Sequence, residues 1–205
     1  MSKNWSLIIV VAFVMGYSAK LYLESQKQIE AERAQAAIEA MVADPVFNDK
    51  DNQPVHIFDP EDKRIRIAYF GYTRCPDVCP TSLAMLGGAL NEFSDEQLAN
   101  FWPMYITIDP ERDDSARTTQ YARYFHKSID GFSAPMALTR ALADKYGVIF
   151  KKTELPDSAI GYVVDHSSYF YFLEPDGTLI TSIPHTLEPT PISDQMRKLL
   201  KERSL

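Results

Sequence analysis

Two cysteines, Cys75 and Cys79, are all that 205 residues contain, and that is too few for either a disulfide framework or a structural zinc site, which takes four ligands. No further cysteine or closely spaced histidine extends the pair into a Cys-x-x-Cys plus Cys or His set. Positive charge is short as well. Against 28 Asp and Glu stand 21 Lys and Arg, a formal net charge of -7, and no basic stripe interrupts that balance. Nucleic acid is excluded as a partner, because phosphate affinity depends on clustered Lys and Arg. Internal repeats are absent. With 45% hydrophobic residues, the chain suits one globular domain with some extra length, and a core of that size does not need disulfides.

The extra length is at the N-terminus. Trp5 to Ala19 carry no charge, and continuing through Leu23 gives about 19 mostly apolar residues, close to a bilayer-spanning helix. Lys20 sits near the end of the run, where its ammonium can snorkel to headgroups, and Trp5, Tyr17 and Tyr22 suit the interfaces. A cleaved signal peptide is the competing reading, with Gly16 and Ser18 as the small residues of its site. Residues 1–23 are expected to be a membrane anchor. Lys3 ahead of the run favours a cytoplasmic N-terminus, although Lys20 and Lys27 follow it. Residues 24–43, rich in Ala, Glu and Gln and free of Gly and Pro, read as a helical stalk.

Residues 44–205 change texture to short apolar runs between turn residues. Val46-Phe47 and Val55 to Phe58 predict a hairpin around Asn48 to Gln53, and "RIRIAYFGYT" predicts a strand entering the centre of a sheet. Apolar residues at helical spacing predict a helix through "TSLAMLGGALNEFSDEQLANF". Then come a strand "WPMYITID", a helix "DSARTTQYARYFHK", a short helix ended by Gly147, a strand "VIFKKT", and "YVVDHSSYFYFLEPDGTLITSI" folded at Glu174 to Gly177. A last helix runs from about Ile192 to Glu202. The order predicts an α/β fold, thioredoxin-like, with a mixed sheet covered on both faces and an N-terminal β-hairpin extension.

The cysteines lie where a buried strand ends and a helix opens. Pro80 as the first helical residue makes Cys79 the N-cap, and the helix dipole then favours its thiolate. Four residues of helical rise, about 6 Å, allow Cys75 and Cys79 to close into a disulfide or open to hold an ion. A purely structural bridge across so small a loop gains little entropy. Soft, low-coordinate Cu(I) is suited to two thiolates with an imidazole. Of four histidines, His56, His126 and His185 fall on a hairpin, a helix end and a late loop. His166, in "YVVDHSSYFYF", falls where a strand of the sheet begins beside three polar residues, on the sheet edge next to the thiols.

"GYTRCPDVCPTSL", "ITIDPERDD" and "YVVDHSSYFYFLEPDG", in that order, resemble the Sco (SenC/PrrC) copper chaperones, and the likeness runs from about Asp44 to Leu200. The resemblance implies a membrane-anchored, thioredoxin-like protein that binds copper through Cys75, Cys79 and His166, with Asp109 close behind those ligands. It implies delivery of copper to the copper-bearing subunit of cytochrome c oxidase during assembly. Because Cys75 and Cys79 must be reduced to bind, a redox-active disulfide, a thiol reductant and an upstream copper donor are implied too. The protein is expected not to be an enzyme, with thioredoxin-type thiol-disulfide exchange as the alternative and a peroxidase, using Arg74, behind it. The chemistry places the domain in the bacterial periplasm on a single-pass inner-membrane anchor; the short leader, without an Arg-rich transit peptide, makes the mitochondrial inner membrane the second choice. Arg74 departs from the family's usual histidine, and "DGFSAP" after "HKSI" and "IPHTLEP" near the end depart from its pattern.

Overall fold

A computed structural model describes residues 5–156 and 158–203; residues 1–4, among them Lys3, together with 157 and 204–205 lie outside the described residues. The chain divides into two compact units, with the second beginning at Met41. In the first, one uninterrupted helix, α1 (Trp5–Ala43), carries both the apolar run and the stalk. It is long and apolar enough to cross a membrane, and its large apolar side chains are exposed.

The second unit begins with the expected hairpin, β1 (Val46–Asn48) and β2 (Pro54–His56), paired antiparallel. Asp49 closes its turn by accepting from the backbone N–H groups of Asp51 and Gln53. Phe47 is fully buried and meets Phe132 edge-on.

Next come β3 (Ile65–Gly71), α2 (Val78–Leu90), α3 (Asp95–Leu98), β4 (Phe101–Thr107), α4 (Ser115–Phe125), β5 (Asp130–Phe132) and α5 (Met136–Lys145). The chain ends with β6 (Phe150–Glu154), β7 (Tyr162–His166), β8 (Tyr169–Leu173), β9 (Leu179–Pro184) and α6 (Thr190–Arg203). Five strands form the central sheet in the order β5-β4-β3-β8-β9; β3, β4 and β5 run parallel, and β8 and β9 are antiparallel. Every residue of β3 and β4 is buried, as expected of strands covered on both faces. One face, carrying Tyr69 and Tyr105, packs under α2 and α4, with α6 against α2. The other face carries Phe70 and Tyr171, which meet Tyr146 at the end of α5. This is the thioredoxin-like arrangement the element order predicts.

Three local differences matter. The long helix after the cysteines breaks at Asn91, because Ser94 and Gln97 form a capping box that starts α3 afresh. A three-residue strand, β5, forms within "IDGFS", too short to announce itself by alternation. The stretch read as one strand, "YVVDHSSYFYF", is two. At Ser167 the chain leaves the central sheet: Ser167 N–H donates to the Ile149 carbonyl and its Oγ accepts from Ile149 N–H. Consequently β7 pairs with β6 in a separate two-stranded ribbon, while β8 joins β3.

Arg66 is a charged residue inside the sheet with no exposed surface. Its guanidinium donates to the carbonyls of Ile57 (3.0 Å), Asp59 (3.2 Å), Asp62 (2.7 Å) and Arg64, so it fastens the segment after the hairpin to the strand. Arg66→Met removes the donor and leaves those acceptors without it. We expect a loss of stability on the order of 3 kcal/mol, read as a lower denaturation midpoint with the m-value unchanged.

Candidate metal centre

The parallel strands β3 and β4 deliver their C-terminal ends to one edge of the sheet, where open α/β sheets hold their ligands. From β3 the chain turns through Tyr72, whose carbonyl accepts from Cys75 N–H at 3.2 Å. Asp113 pins that turn from β4's side. Fully buried, its carboxylate accepts from Thr73 N–H (2.7 Å), Thr73 Oγ1 (2.6 Å) and Thr107 Oγ1 (3.0 Å).

Helix α2 starts two residues earlier than Pro80 suggests. Asp77 is its N-cap, so Cys79 is the second helical residue and Pro80 the third. Proline is tolerated there because the third N–H of a helix has no intrahelical partner, and Pro76, whose carbonyl it would strike in a longer helix, precedes the first turn. Cys79 is therefore not the cap. Its side chain points inward to a spot beneath Gly71, where a Cβ would stand 2.8 Å from Cys79 Sγ and 2.8 Å from the Tyr105 hydroxyl. Glycine at 71 leaves the space that the sulfur occupies.

Three donors converge here. Cys75 Sγ, Cys79 Sγ and a nitrogen of His166 all lie within 4.8 Å of one another. Cys79 Sγ is 3.3 Å from His166 Nε2, and Cys79 N–H donates to Cys75 Sγ at 3.4 Å. His166 Nδ1 lies 3.0 Å from the Ser167 carbonyl. A proton on Nδ1 serves that carbonyl and leaves the Nε2 lone pair facing the sulfurs. Tyr69 and Tyr72 flank the imidazole edge-on, at 6.3 and 6.2 Å between ring centres. Both cysteines are free thiols; Cys79 is fully buried and Cys75 partly open. A groove of about 380 Å³ leads to Cys75 past Pro76, Val78, Val163 and His166.

The electrostatics divide the thiols opposite to the sequence expectation. Cys75 is the one held well below the usual thiol range, by hydrogen bonds first from the Cys79 side chain and also from the backbone N–H groups of Asp77 and Cys79. Cys79 is pushed far up by burial and by the charge on Cys75. The N–H groups at the start of α2 thus serve the sulfur outside the helix, not the one within it. Burial also pushes the Tyr69 and Tyr105 phenols well up. Two thiolates and one imidazole are a soft donor set, a fit for copper rather than for calcium or magnesium.

The remaining residues singled out by sequence are placed as follows. Asp109 is buried and touches none of the three donors directly: it accepts from the Tyr162 hydroxyl at 2.7 Å and pairs with Arg112. Arg112 lies 3.4 Å from the centre of the Tyr162 ring and donates to the Ile160 and Tyr162 carbonyls, so Asp109 steadies the strand that carries His166. His56 pairs with Asp44, and His185 Nδ1 lies 2.8 Å from Ser82 Oγ. His126 caps α4, with its Nδ1 accepting from Ser128 N–H. Arg74 is exposed and pairs with no carboxylate among the described residues. Sequence reasoning missed Gly71, Asp113, Tyr105 and the Arg112–Tyr162 pair. Only Gly71, a glycine closing a buried strand, carried a signal.

A nucleophilic Cys75 has a direct readout. Alkylation of the reduced protein is expected at Cys75 before Cys79, at a rate that holds as the pH falls from about 8 to about 6, where an unperturbed thiol of pKa about 8.5 loses most of its thiolate. Peptide mapping of the alkylated protein checks both points, and preferential labelling of Cys79 would reverse the assignment.

The SCO1/SenC family profile matches residues 33–201. Among curated proteins, the chain is 30% identical over 136 residues to "Protein SCO1 homolog 1, mitochondrial" of Arabidopsis thaliana, covering 66% of this chain and 40% of that one. It is 35% identical over 120 residues to "Protein SCO1, mitochondrial" of Saccharomyces cerevisiae, covering 58% of this chain and 41% of that one. The chain thus spans about two fifths of the length of both relatives. Among solved structures, Arabidopsis thaliana ScoI with copper bound superposes with a TM-score of 0.68 at 27% identity, over 77% of this chain and 96% of that one. The family match covers most of the chain and takes in the cysteine loop, Asp109 and His166, so the chain belongs to the SCO1/SenC family.

Proposed function

We propose that this chain is a copper carrier. Cys75, Cys79 and His166 hold one copper ion, as Cu(I) or Cu(II), and hand it by ligand exchange to the copper-bearing subunit of cytochrome c oxidase during assembly. The observation that carries the reading is the convergence of two sulfurs and one imidazole nitrogen within 4.8 Å at the end of an open groove. Support also comes from relatives whose structures hold copper.

Loading needs both cysteines reduced and deprotonated. The partly open Cys75 meets the incoming ion as a thiolate, and Cys79 gives up its proton to complete the pair. In the unloaded state the two thiols can instead lose two electrons and two protons to an oxidant and close a Cys75–Cys79 disulfide, which cannot bind. A dithiol reductant and an upstream copper donor are therefore partners. On this reading the protein turns over no substrate. Helix α1 serves as a single-pass anchor in the bacterial inner membrane with the folded unit in the periplasm.

One observation favours a second reading. Cys75, a thiolate beside a groove, is equipped to attack a substrate disulfide, so thiol-disulfide exchange of the thioredoxin type is the alternative.

Copper titration of the reduced protein is expected to give one equivalent bound, with His166→Ala binding at least about 10-fold more weakly. Equal retention by wild type and variant would remove His166 from the site. On the same samples, turnover of a model disulfide without copper would favour the exchange reading. A reporter fused after Leu205 that folds only outside the cytoplasm is expected to be active; activity confined to a cytoplasmic reporter would invert the orientation.

A further inference from the structure

Tyr105 is an expensive choice for its position. Its side chain has no exposed surface, and its hydroxyl has no hydrogen-bond partner among the described residues. The ring is fixed in place: Tyr105 is the register partner of Tyr69 across β3 and β4, the two rings stack at 6.1 Å, and Tyr121 of α4 closes over it at 5.6 Å. Phenylalanine would pack in the same place without an unpaired hydroxyl, which costs free energy in a buried site. The nearest explanation for the oxygen lies beside Gly71. Because a Cβ there would be 2.8 Å from both the Tyr105 hydroxyl and Cys79 Sγ, the oxygen and the sulfur are no farther apart than twice that distance. Tyr69, the other buried hydroxyl without a hydrogen bond among the described residues, differs in having the hydroxyls of Ser82 and Ser168 near it.

A protonated thiol is a poor acceptor, and a thiolate is a strong one. The Tyr105 hydroxyl is a buried, unpartnered donor lying beside the Cys79 sulfur. We propose that Tyr105 is a positioning residue for the metal-bound state, its hydroxyl donating to Cys79 Sγ once that sulfur has become a ligand. The inference rests on the copper reading above and adds to it a residue outside the donor set. A hydrogen bond to a ligating sulfur withdraws electron density from it and fixes its direction. It also compensates the burial of charge at Cys79, the sulfur with no access to water.

The test is Tyr105→Phe beside wild type. In the reduced, metal-free protein the variant is expected to unfold at the same temperature or higher, since it loses an unpaired hydroxyl and no contact. Loaded with Cu(II), its sulfur-to-copper charge-transfer band is expected at lower energy than in wild type, and its Cu(I) affinity, measured against a competing chelator, is expected to fall about 10-fold. A band at the wild-type position overturns the proposal whether or not affinity falls, because a packing defect alone would weaken binding without retuning the sulfur. Should the variant fail to fold, the wild type carries a second measurement. The Tyr105 Cζ resonance in carbon-labelled protein is expected to move on Cu(I) loading, and a stationary resonance overturns the hydrogen bond. A wild type that takes up no copper overturns the site reading and this proposal together; copper uptake with an unmoved band overturns the tyrosine alone.

Discussion

The close approach of the first turn of α2 to the end of β3 governs the site. Cys79 is buried against the sheet only because residue 71 has no side chain, and everything around the sulfur follows from that contact. It aligns the helix so that the next turns bury Ser82, Leu83, Leu86 and Leu90 over the Tyr69–Tyr105 face. The same contact leaves Cys75 outside, on the approach to the helix, where the N–H of Cys79 can reach it. Two chemically identical residues thereby acquire different environments, one dry and one at the mouth of a groove.

Much of this was legible in the sequence because it rests on patterns with a period. The buried character of "IAYFG" and "WPMYIT", the helical spacing after the cysteines and the Pro-Asp-Gly turn at Gly177 (φ +80°) all correspond to observed elements. His166 was legible in part: its polar neighbours marked a strand terminus, although the terminus closes β7 and does not open a strand of the main sheet. What was not legible depends on partners far apart in the chain. Asp113 reaches back to Thr73 across 40 residues, and Arg112 reaches forward to Ile160 and Tyr162, about 50 residues on. The position of Pro80 misled because proline is compatible with any of the first helical positions, and its presence does not choose among them. The thiolate assignment followed that error, since the helix N–H groups act on the sulfur they point toward and not on the one nearest in sequence.

Two charged clusters hold the molecule from opposite ends of the sheet. At one end, Arg66 gathers four carbonyls of the segment entering β3; at the other, Asp113 gathers the donors of Thr73 and Thr107 where β3 and β4 leave it. Each is a buried charge satisfied by several groups, a costly arrangement that persists where a chain segment must keep one course. The cysteine loop is therefore constrained at its start by a carboxylate and at its finish by a helix.

His166 belongs to neither constraint. The two sulfurs are mounted on a loop and helix locked to a five-stranded sheet, whereas the imidazole is carried at the end of a two-stranded ribbon, an element with little stability of its own. An ion gripped by all three is gripped by two bodies of unequal stiffness. Local opening of the ribbon would carry His166 away from the two sulfurs while Cys75 and Cys79 kept their places, so the stiffness of the three donors, and not only their chemistry, is unequal.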